Sequence, residues 1–144
     1  MTTAAHIRLV LWKAAKAIEQ VDRASIAHTG LQLSEFAIME ALMHKGPLTI
    51  TAIGEKVLLT SGSMTAAINR LERRGYVRRQ RDAGDGRRFH VHLTDIGRSV
   101  IDKAYANHTA NLERVAEALP PHERETLVRL LKTVGQRAAT IKIA

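Results

Sequence analysis

The hydrophobic positions between residues 60 and 94 follow two periods in succession, and this change predicts the central unit of the chain. In the first half, apolar side chains recur every three or four positions and so share one face of a helix. That face is formed by Met64, Ala67, Ile68 and Leu71. The opposite face is small and polar, with Gly62, Ala66, Asn69 and Arg73 at its centre and Ser63, Thr65 and Arg70 at its flanks. Thr60 is the expected N-cap, and Gly75 the glycine that ends the helix.

Two extended segments around a glycine-rich turn follow this helix. Residues 76–81 lead into the turn at 82–86, and in residues 89–93 Phe89, Val91 and Leu93 alternate to one side. A helix with a small polar face beside an arginine-tipped hairpin is typical of a winged helix on DNA. The helix would enter the major groove and the wing a neighbouring minor groove. The pattern therefore favours nucleic-acid binding.

Shorter elements are predicted between residues 30 and 60. Ser34 is expected to cap a helix that closes at Gly46-Pro47, and Thr51 to cap a compact helix through Leu58. Residues 48–50 are extended and could add a third strand beside the wing. The compact helix, the turn at residues 59 and 60, and the central helix together form a helix-turn-helix, whose second helix recognises the bases.

Both ends of the chain show longer helical patterns. Residues 6–28 predict a helix that is apolar on two sides. Thr94 is expected to cap a helix to about Leu119, and a last helix begins at Pro120-Pro121. The apolar positions of the helix after Thr94 form a heptad seam: Ile101, Tyr105, His108, Leu112, Val115 and Leu119. Such helices predict a two-fold dimer that presents two recognition helices to a pseudo-palindromic site.

Composition and charge agree with a single domain that binds a polyanion. The chain has 144 residues, of which 45% are apolar and 25% charged, enough for one domain with a sizeable core. Its net charge is +8, and nine arginines against four acids lie between residues 70 and 98. So focused a patch favours a polyanionic partner. No apolar run is long enough for a membrane span and no signal-peptide pattern is present, so the cytoplasm is expected.

Catalytic, metal and redox chemistry have little support in the sequence. The absence of cysteine excludes disulfides and a sensor that oxidises a thiol. The seven histidines lack ligand spacing, because His90 and His92 share one face of a strand and His108 has no matching ligand set on its helix. No nucleophile–base pair or phosphate-binding loop stands out. We therefore expect no metal, no cofactor and no enzymatic activity.

Three neighbouring motifs carry a family resemblance. They are Leu71-Glu72-Arg73-Arg74-Gly75-Tyr76-Val77, then Asp85-Gly86-Arg87, then Leu93-Thr94-Asp95-Ile96-Gly97. With the last two matching Asp-x-Arg and Leu-Thr-x-x-Gly, the chain resembles the MarR family of bacterial transcription regulators over about residues 6–138. The resemblance implies a homodimer with interlocked terminal helices, a wing arginine in the minor groove, and small phenolic or aromatic ligands that weaken DNA binding. Residues 56–63 are similar to those of members that answer to quinones and phenols.

The candidate DNA contacts lie on the central helix and the wing. Arg87 is expected to enter a narrow minor groove, with Asp85 orienting it or stabilising the turn; the alternative is an exposed ion pair worth about 0–1 kcal/mol. Asn69 can pair with adenine and Arg70 with guanine, while Thr65 and its neighbour could touch a thymine methyl. The helix start would hold phosphate. The full set is Ser61, Gly62, Ser63, Thr65, Ala66, Asn69, Arg70, Arg73, Arg79, Asp85, Arg87 and Arg88.

Further arginines of this region are interpreted as phosphate neutralisers. Each would add about −0.9 to the slope of the logarithm of the DNA-binding constant against the logarithm of the salt concentration. They are Arg73, Arg74, Arg78, Arg79 and Arg81. Six other residues could line an apolar ligand cavity, although as a stripe of core residues they would need no ligand. They are Trp12, Phe36, Met39, Met43, Tyr105 and His108.

The sequence thus predicts a mainly α fold with a small β-wing, in one domain over residues 1–144. Helices in 6–30 and 95–140 would dimerise, and 34–94 would form the winged helix-turn-helix lobe. The predicted function is a homodimeric, sequence-specific DNA-binding regulator, a repressor released by a small aromatic, phenolic or quinone-type ligand. The alternatives are a non-specific architectural DNA-binding protein without a ligand, and a small enzyme with an incidental basic face.

Overall fold

The computed structural model describes residues 1–57 and 61–144. Six helices and three short strands follow one another in this part of the chain. They are α1 (Ala4–Ala27), α2 (Leu33–Lys45), β1 (Leu48–Thr49), α3 (Ile50–Val57), α4 (Ser61–Arg73), β2 (Val77–Arg81), β3 (Phe89–Leu93), α5 (Asp95–Ala116) and α6 (Pro121–Thr140). The strands form one antiparallel sheet in the order β1-β3-β2. The predicted fold class, mainly α with a small β-wing, is confirmed.

The first turn of α2 begins earlier than predicted. Ser34 lies inside the helix, and the N-cap is Gln32. The carboxylate of Glu35 accepts the backbone N–H of Gln32 at 2.8 Å. An acidic side chain at the third helical position can satisfy a free amide at the helix start, which fixes the boundary before Leu33.

The start of α3 is also displaced from its prediction. The hydroxyl of Thr49 accepts the backbone N–H of Ala52 at 3.2 Å, so the cap falls two residues before Thr51. Residues 48 and 49 form the predicted third strand, and Leu48 pairs with Val91 of β3. The predicted helix end at Leu58, the turn at residues 59 and 60, and the N-cap Thr60 lie outside the described residues.

Gly75 ends α4 as predicted. Its φ of +77° is in the left-handed region that glycine adopts without strain. The N–H of Gly75 bonds to the carbonyl of Glu72, and the N–H of Tyr76 to that of Leu71, each at 3.0 Å. This Schellman pair turns the chain directly into β2.

Thr94 joins the start of α5 to the end of α4. Its hydroxyl donates to the carbonyl of Gly75 at 2.6 Å and accepts the N–H of Gly97 at 3.0 Å. A Cβ on Gly97 would lie 1.9 Å from the carbonyl oxygen of Tyr76, so only glycine fits there. The Leu-Thr-x-x-Gly motif therefore fixes the wing and α5 to the base of α4.

The core lies between α2, α4, the sheet and the first half of α5. It is formed by Ile26, Leu31, Phe36, Ile38, Met39, Leu42, Ile53, Met64, Ala67, Ile68, Leu71, Val77, Val91, Ile101 and Ala104. This location corrects the seam prediction, because Ile101 and His108 are buried inside the chain and are not free for a partner. The helix also ends at Ala116, before Leu119.

Candidate nucleic-acid interface

The two faces of α4 separate as the sequence pattern predicts. Met64, Ala67, Ile68 and Leu71 are at most 5% exposed and pack into the core. The opposite face is open to solvent and consists of Gly62, Ser63, Thr65, Ala66, Asn69 and Arg73. Ser61 is the first residue of α4. A slim polar surface of this kind can approach the floor of a major groove without a bulky side chain in the way.

The tip of the wing is shaped by Asp85. Its carboxylate accepts the backbone N–H of Arg87 at 3.0 Å, and its carbonyl accepts the N–H of Arg88 at 3.1 Å. Of the two roles considered for Asp85, stabilising the turn is therefore the one seen. Both arginine side chains are exposed. The tip thus offers two guanidinium groups to an anion.

Arg79 lies on the inner face of the wing and does not point outward. In β2 it pairs with the fully buried Val91, and it lies two positions after the buried Val77. Residues two positions apart share a face of a strand, so the side chain of Arg79 is on the side of α4. Its Nη2 donates to Oδ1 of Asn69 at 2.6 Å. Arg79 is therefore already engaged within the chain, and its predicted contact with phosphate, like that of Asn69 with a base, stays a prediction.

Arg70 and Arg74 are engaged by an acid that sequence reasoning missed. Glu35 is 2% exposed, and its Oε2 lies 3.7 Å from Nε of Arg70 and 3.8 Å from Nη1 of Arg74. Arg70 also donates to the hydroxyl of Ser34 at 3.3 Å. The only sequence signal for Glu35 is its place in the first turn of α2, which gives no hint of a partner 35 positions away. Base contact by Arg70 stays a prediction, and here its guanidinium bridges α4 to α2.

Two exposed arginines of β2 carry further positive charge. Arg81 lies over the ring of Phe89 at 5.3 Å, and Arg78 donates to the side chain of Gln80 at 2.6 Å. The pKa of His92 is lowered by desolvation first, and also by repulsion from Arg78 and His90. His92 is therefore mainly neutral at neutral pH and adds little to the positive charge of the wing.

The six candidate pocket residues do not all come together. Phe36 and Met39 are packed in the core, and Met43 and Tyr105 lie against it. His108 is buried edge-on against Phe36 at 5.0 Å. Trp12 is 56% exposed, beneath the ammonium group of Lys16, and does not belong to this cluster. Whether the other five residues meet a ligand stays a prediction.

A cleft of about 400 Å³ lies between α1 and α5, next to His108. Nδ1 of His108 is 3.0 Å from the hydroxyl of Ser25, and its Nε2 is 3.0 Å from a carboxylate oxygen of Asp22. The cleft itself is lined by Val21, Ala24, Ser25, His28, Asn111, Arg114 and Val115. In residues 1–57 and 61–144, no group of three metal-binding side chains comes together, and no helix is long and apolar enough to cross a membrane.

Comparison with known proteins agrees with this geometry. The MarR family profile matches residues 29–88. The chain is 38% identical over 124 residues to the helix-turn-helix transcriptional regulator YkoM of Bacillus subtilis, covering 84% of this chain and 80% of that protein. It is 32% identical over 130 residues to MhqR, a regulator of the same class from B. subtilis, covering 90% of each chain.

Solved structures show the same fold. A MarR family protein from Bacillus stearothermophilus superposes with a TM-score of 0.79 at 23% identity, over 97% of this chain and 99% of that chain. A probable transcriptional regulator from Pseudomonas aeruginosa gives 0.74 at 26% identity, over 89% and 96%. These relatives are regulators and not enzymes. With its exposed α4 face beside an arginine-tipped wing, the chain belongs to the MarR family of DNA-binding helix-turn-helix transcriptional regulators.

Proposed function

We propose that the protein is a homodimeric repressor that binds a pseudo-palindromic duplex and blocks transcription initiation until a small aromatic ligand releases it. The observation that carries this proposal is the separation of two kinds of surface. The polar face of α4 and the arginine-tipped wing are on one lobe, whereas long apolar stripes on the terminal helices are uncovered.

The terminal helices support the dimer. No residue of α6 is buried in the single chain. The exposed fractions of Leu127, Leu130, Leu131 and Val134, which share one stripe, are 42–48%. Ile7, Val10, Trp12 and Ile18 of α1 are 44–56% exposed. Apolar stripes of this length are rarely left in water, and a second copy would cover both by a two-fold contact.

The charge distribution supports duplex DNA as the partner. Arg73 is exposed on the polar face of α4, which has no bulky apolar side chain, and Arg87 and Arg88 are exposed at the wing tip. Phosphate contacts by such arginines would set the position of the protein on the duplex, and the polar face of α4 would then supply sequence preference. Two such lobes in a dimer fit half-sites that are one helical turn, or a multiple, apart.

The class of ligand is suggested by a structural neighbour. The structure of BpsR from Bordetella bronchiseptica, which superposes at a TM-score of 0.79 with 20% identity, concerns regulation of its DNA binding by 6-hydroxynicotinic acid. We extend this to a phenolic, aromatic-acid or quinone-type effector for the present chain. Such an effector would act by favouring a dimer geometry in which the two recognition helices no longer fit both half-sites.

A two-stage binding experiment tests the proposal. Fragments of the source genome that bind the purified protein are selected, and their affinity is compared with that of random duplex. A specific regulator should prefer its site by roughly 10³-fold or more, and aromatic acids or quinones should then release it. Equal affinity for both duplexes would instead support a non-specific architectural role, and retention of the site by every compound would remove the ligand from the proposal.

A further inference from the structure

The amide of Asn69, in the middle of the exposed face of α4, is held by a side chain of the wing. Nη2 of Arg79 lies 2.6 Å from Oδ1 of Asn69, ten positions earlier in the chain. The strand register places Arg79 on the side of β2 that packs toward α4, opposite Val91. The contact therefore follows from the alternation of the strand and is a built feature of the lobe.

Hydrogen-bond chemistry fixes the orientation of this amide. A guanidinium group only donates, so the atom of Asn69 that faces Arg79 is the oxygen, whichever way the amide would otherwise turn. The NH2 group of Asn69 is then the part that remains for another partner. In addition, Nε of Arg79 is buried and has no hydrogen-bond partner among the described residues. The positive charge of Arg79 thus lies next to the amide oxygen of Asn69.

This orientation bears on which base Asn69 can select. Pairing with adenine needs both a donor for N7 and an acceptor for the N6 amino group. In this structure Arg79 uses one of the two lone pairs of the amide oxygen, and its positive charge next to that oxygen opposes the approach of a second donor such as the amino group of adenine. Guanine offers two acceptors, N7 and O6, to the same edge of the groove. The adenine pairing expected from the sequence is therefore disfavoured.

We propose that Asn69 is a specificity-determining residue that selects guanine through its NH2 group, and that Arg79 sets this preference by holding the amide oxygen. Arg79 acts as a positioning residue, because it works through Asn69. The inference rests on the proposed sequence-specific binding and deepens it by naming the base class at one position of each half-site.

The test is a binding measurement on a selected duplex and on all of its single-base-pair variants. The wild type is compared with Asn69→Ala, Arg79→Met and Arg78→Met. Arg79→Met keeps an apolar stem and removes the donors that hold Asn69. Arg78→Met removes the same charge from the neighbouring position of the same strand, which is exposed, and is the matched control. Circular dichroism and thermal unfolding confirm that each variant is folded.

The wild type should prefer guanine at one position per half-site by roughly fivefold or more, and Asn69→Ala should remove the preference at that position alone. Arg79→Met should shift the preference at that position from guanine toward adenine. Arg78→Met should weaken binding to all duplexes and leave the preference for guanine unchanged. A wild-type preference for adenine at the Asn69-dependent position would overturn the proposal, as would an unchanged preference in folded Arg79→Met or in Asn69→Ala. Equal binding of all duplexes by the wild type would contradict the proposed function itself.

Discussion

The arginines of α4 and the wing fall into two groups by what their side chains contact. Arg73, Arg87 and Arg88 make no side-chain hydrogen bond or ion pair within residues 1–57 and 61–144. Arg70 and Arg79, by contrast, bind groups of the protein. Members of the first group can neutralise phosphate without breaking a contact of the folded chain. Members of the second fix the position of other groups, and a DNA contact by them would compete with that role.

Arg87→Ala is expected to weaken binding to most sequences alike. The residue stands at the exposed wing tip, and its backbone already bonds to Asp85 without its side chain. Loss of one phosphate-region contact should reduce the log–log salt slope by about 0.9. Anisotropy titrations at several salt concentrations measure this, with Lys103→Ala, at an exposed position of α5, as the control for loss of charge. Unchanged affinity at moderate salt would contradict the role assigned to Arg87.

The buried face of α4, the end of that helix and the strands of the wing could be predicted from the sequence, because each depends on residues close together in the chain. The three- and four-residue spacing of Met64 to Leu71 gave the buried face, and Gly75 gave the end of the helix. Strand alternation from Val77 is also a sequence signal that Arg79 lies on the inward face of the wing. The pairing of Arg70 with Glu35 was not predictable, because it depends on how α2 packs against α4.

At the level of elements, the helix boundaries show how local signals compete. Two hydroxyl residues, Ser34 and Thr51, are good caps by type but lie inside their helices. In α2 the acid at the third position selects Gln32 instead. In α3 a second threonine, Thr49, is the last residue of β1 and caps the helix that follows directly. The sequence offers more than one suitable cap in each case, and residue type alone does not decide between them.

The junction of α4, the wing and α5 depends on Gly97. A methyl group there would lie 1.9 Å from the carbonyl oxygen of Tyr76, and the three nearest atoms that it would meet all belong to the backbone of Tyr76. We expect Gly97→Ala to lower the free energy of unfolding by at least about 2 kcal/mol, because the overlap can be relieved only by moving α5. Urea unfolding measures the change. Ser99→Ala, an exposed position on the same helix, should change stability by less than about 0.5 kcal/mol.

A wild-type stability for Gly97→Ala would show that α5 can shift away from the wing at little cost. In that case the Leu-Thr-x-x-Gly motif would need another explanation. DNA affinity should also fall in this variant if the position of the wing relative to α4 matters for binding.

At the scale of the whole molecule, a buried core on one side of the chain contrasts with exposed apolar surfaces on α1 and α6. The core closes around α2 and α4, whereas α6 contributes nothing to it. The heptad pattern of α5 predicted a subunit seam, but its first half packs within the chain. The sequence could not separate these roles, because an apolar stripe looks the same whether its partner is another part of the chain or a second copy.

Leu130→Glu is expected to disrupt the proposed dimer. The residue lies in the exposed apolar stripe of α6 and is 48% exposed in the single chain. A carboxylate buried in an apolar interface is costly, so the mass in solution should fall to that of one chain and DNA affinity should fall with it. Light scattering and sedimentation measure the mass. Gln136→Glu introduces the same charge on the opposite face of α6 and should leave the dimer intact, whereas a dimeric Leu130→Glu would exclude this stripe from the interface.

The most direct test of the central claim is a hydroxyl-radical footprint of the protein on a selected duplex, combined with the mass of the complex. We expect two chains per duplex and two protected half-sites, with centres one helical turn of about 10–10.5 base pairs, or a multiple, apart. Protection by one chain, or protection spread evenly along the duplex, would contradict a symmetric dimer that presents two recognition helices and two wings.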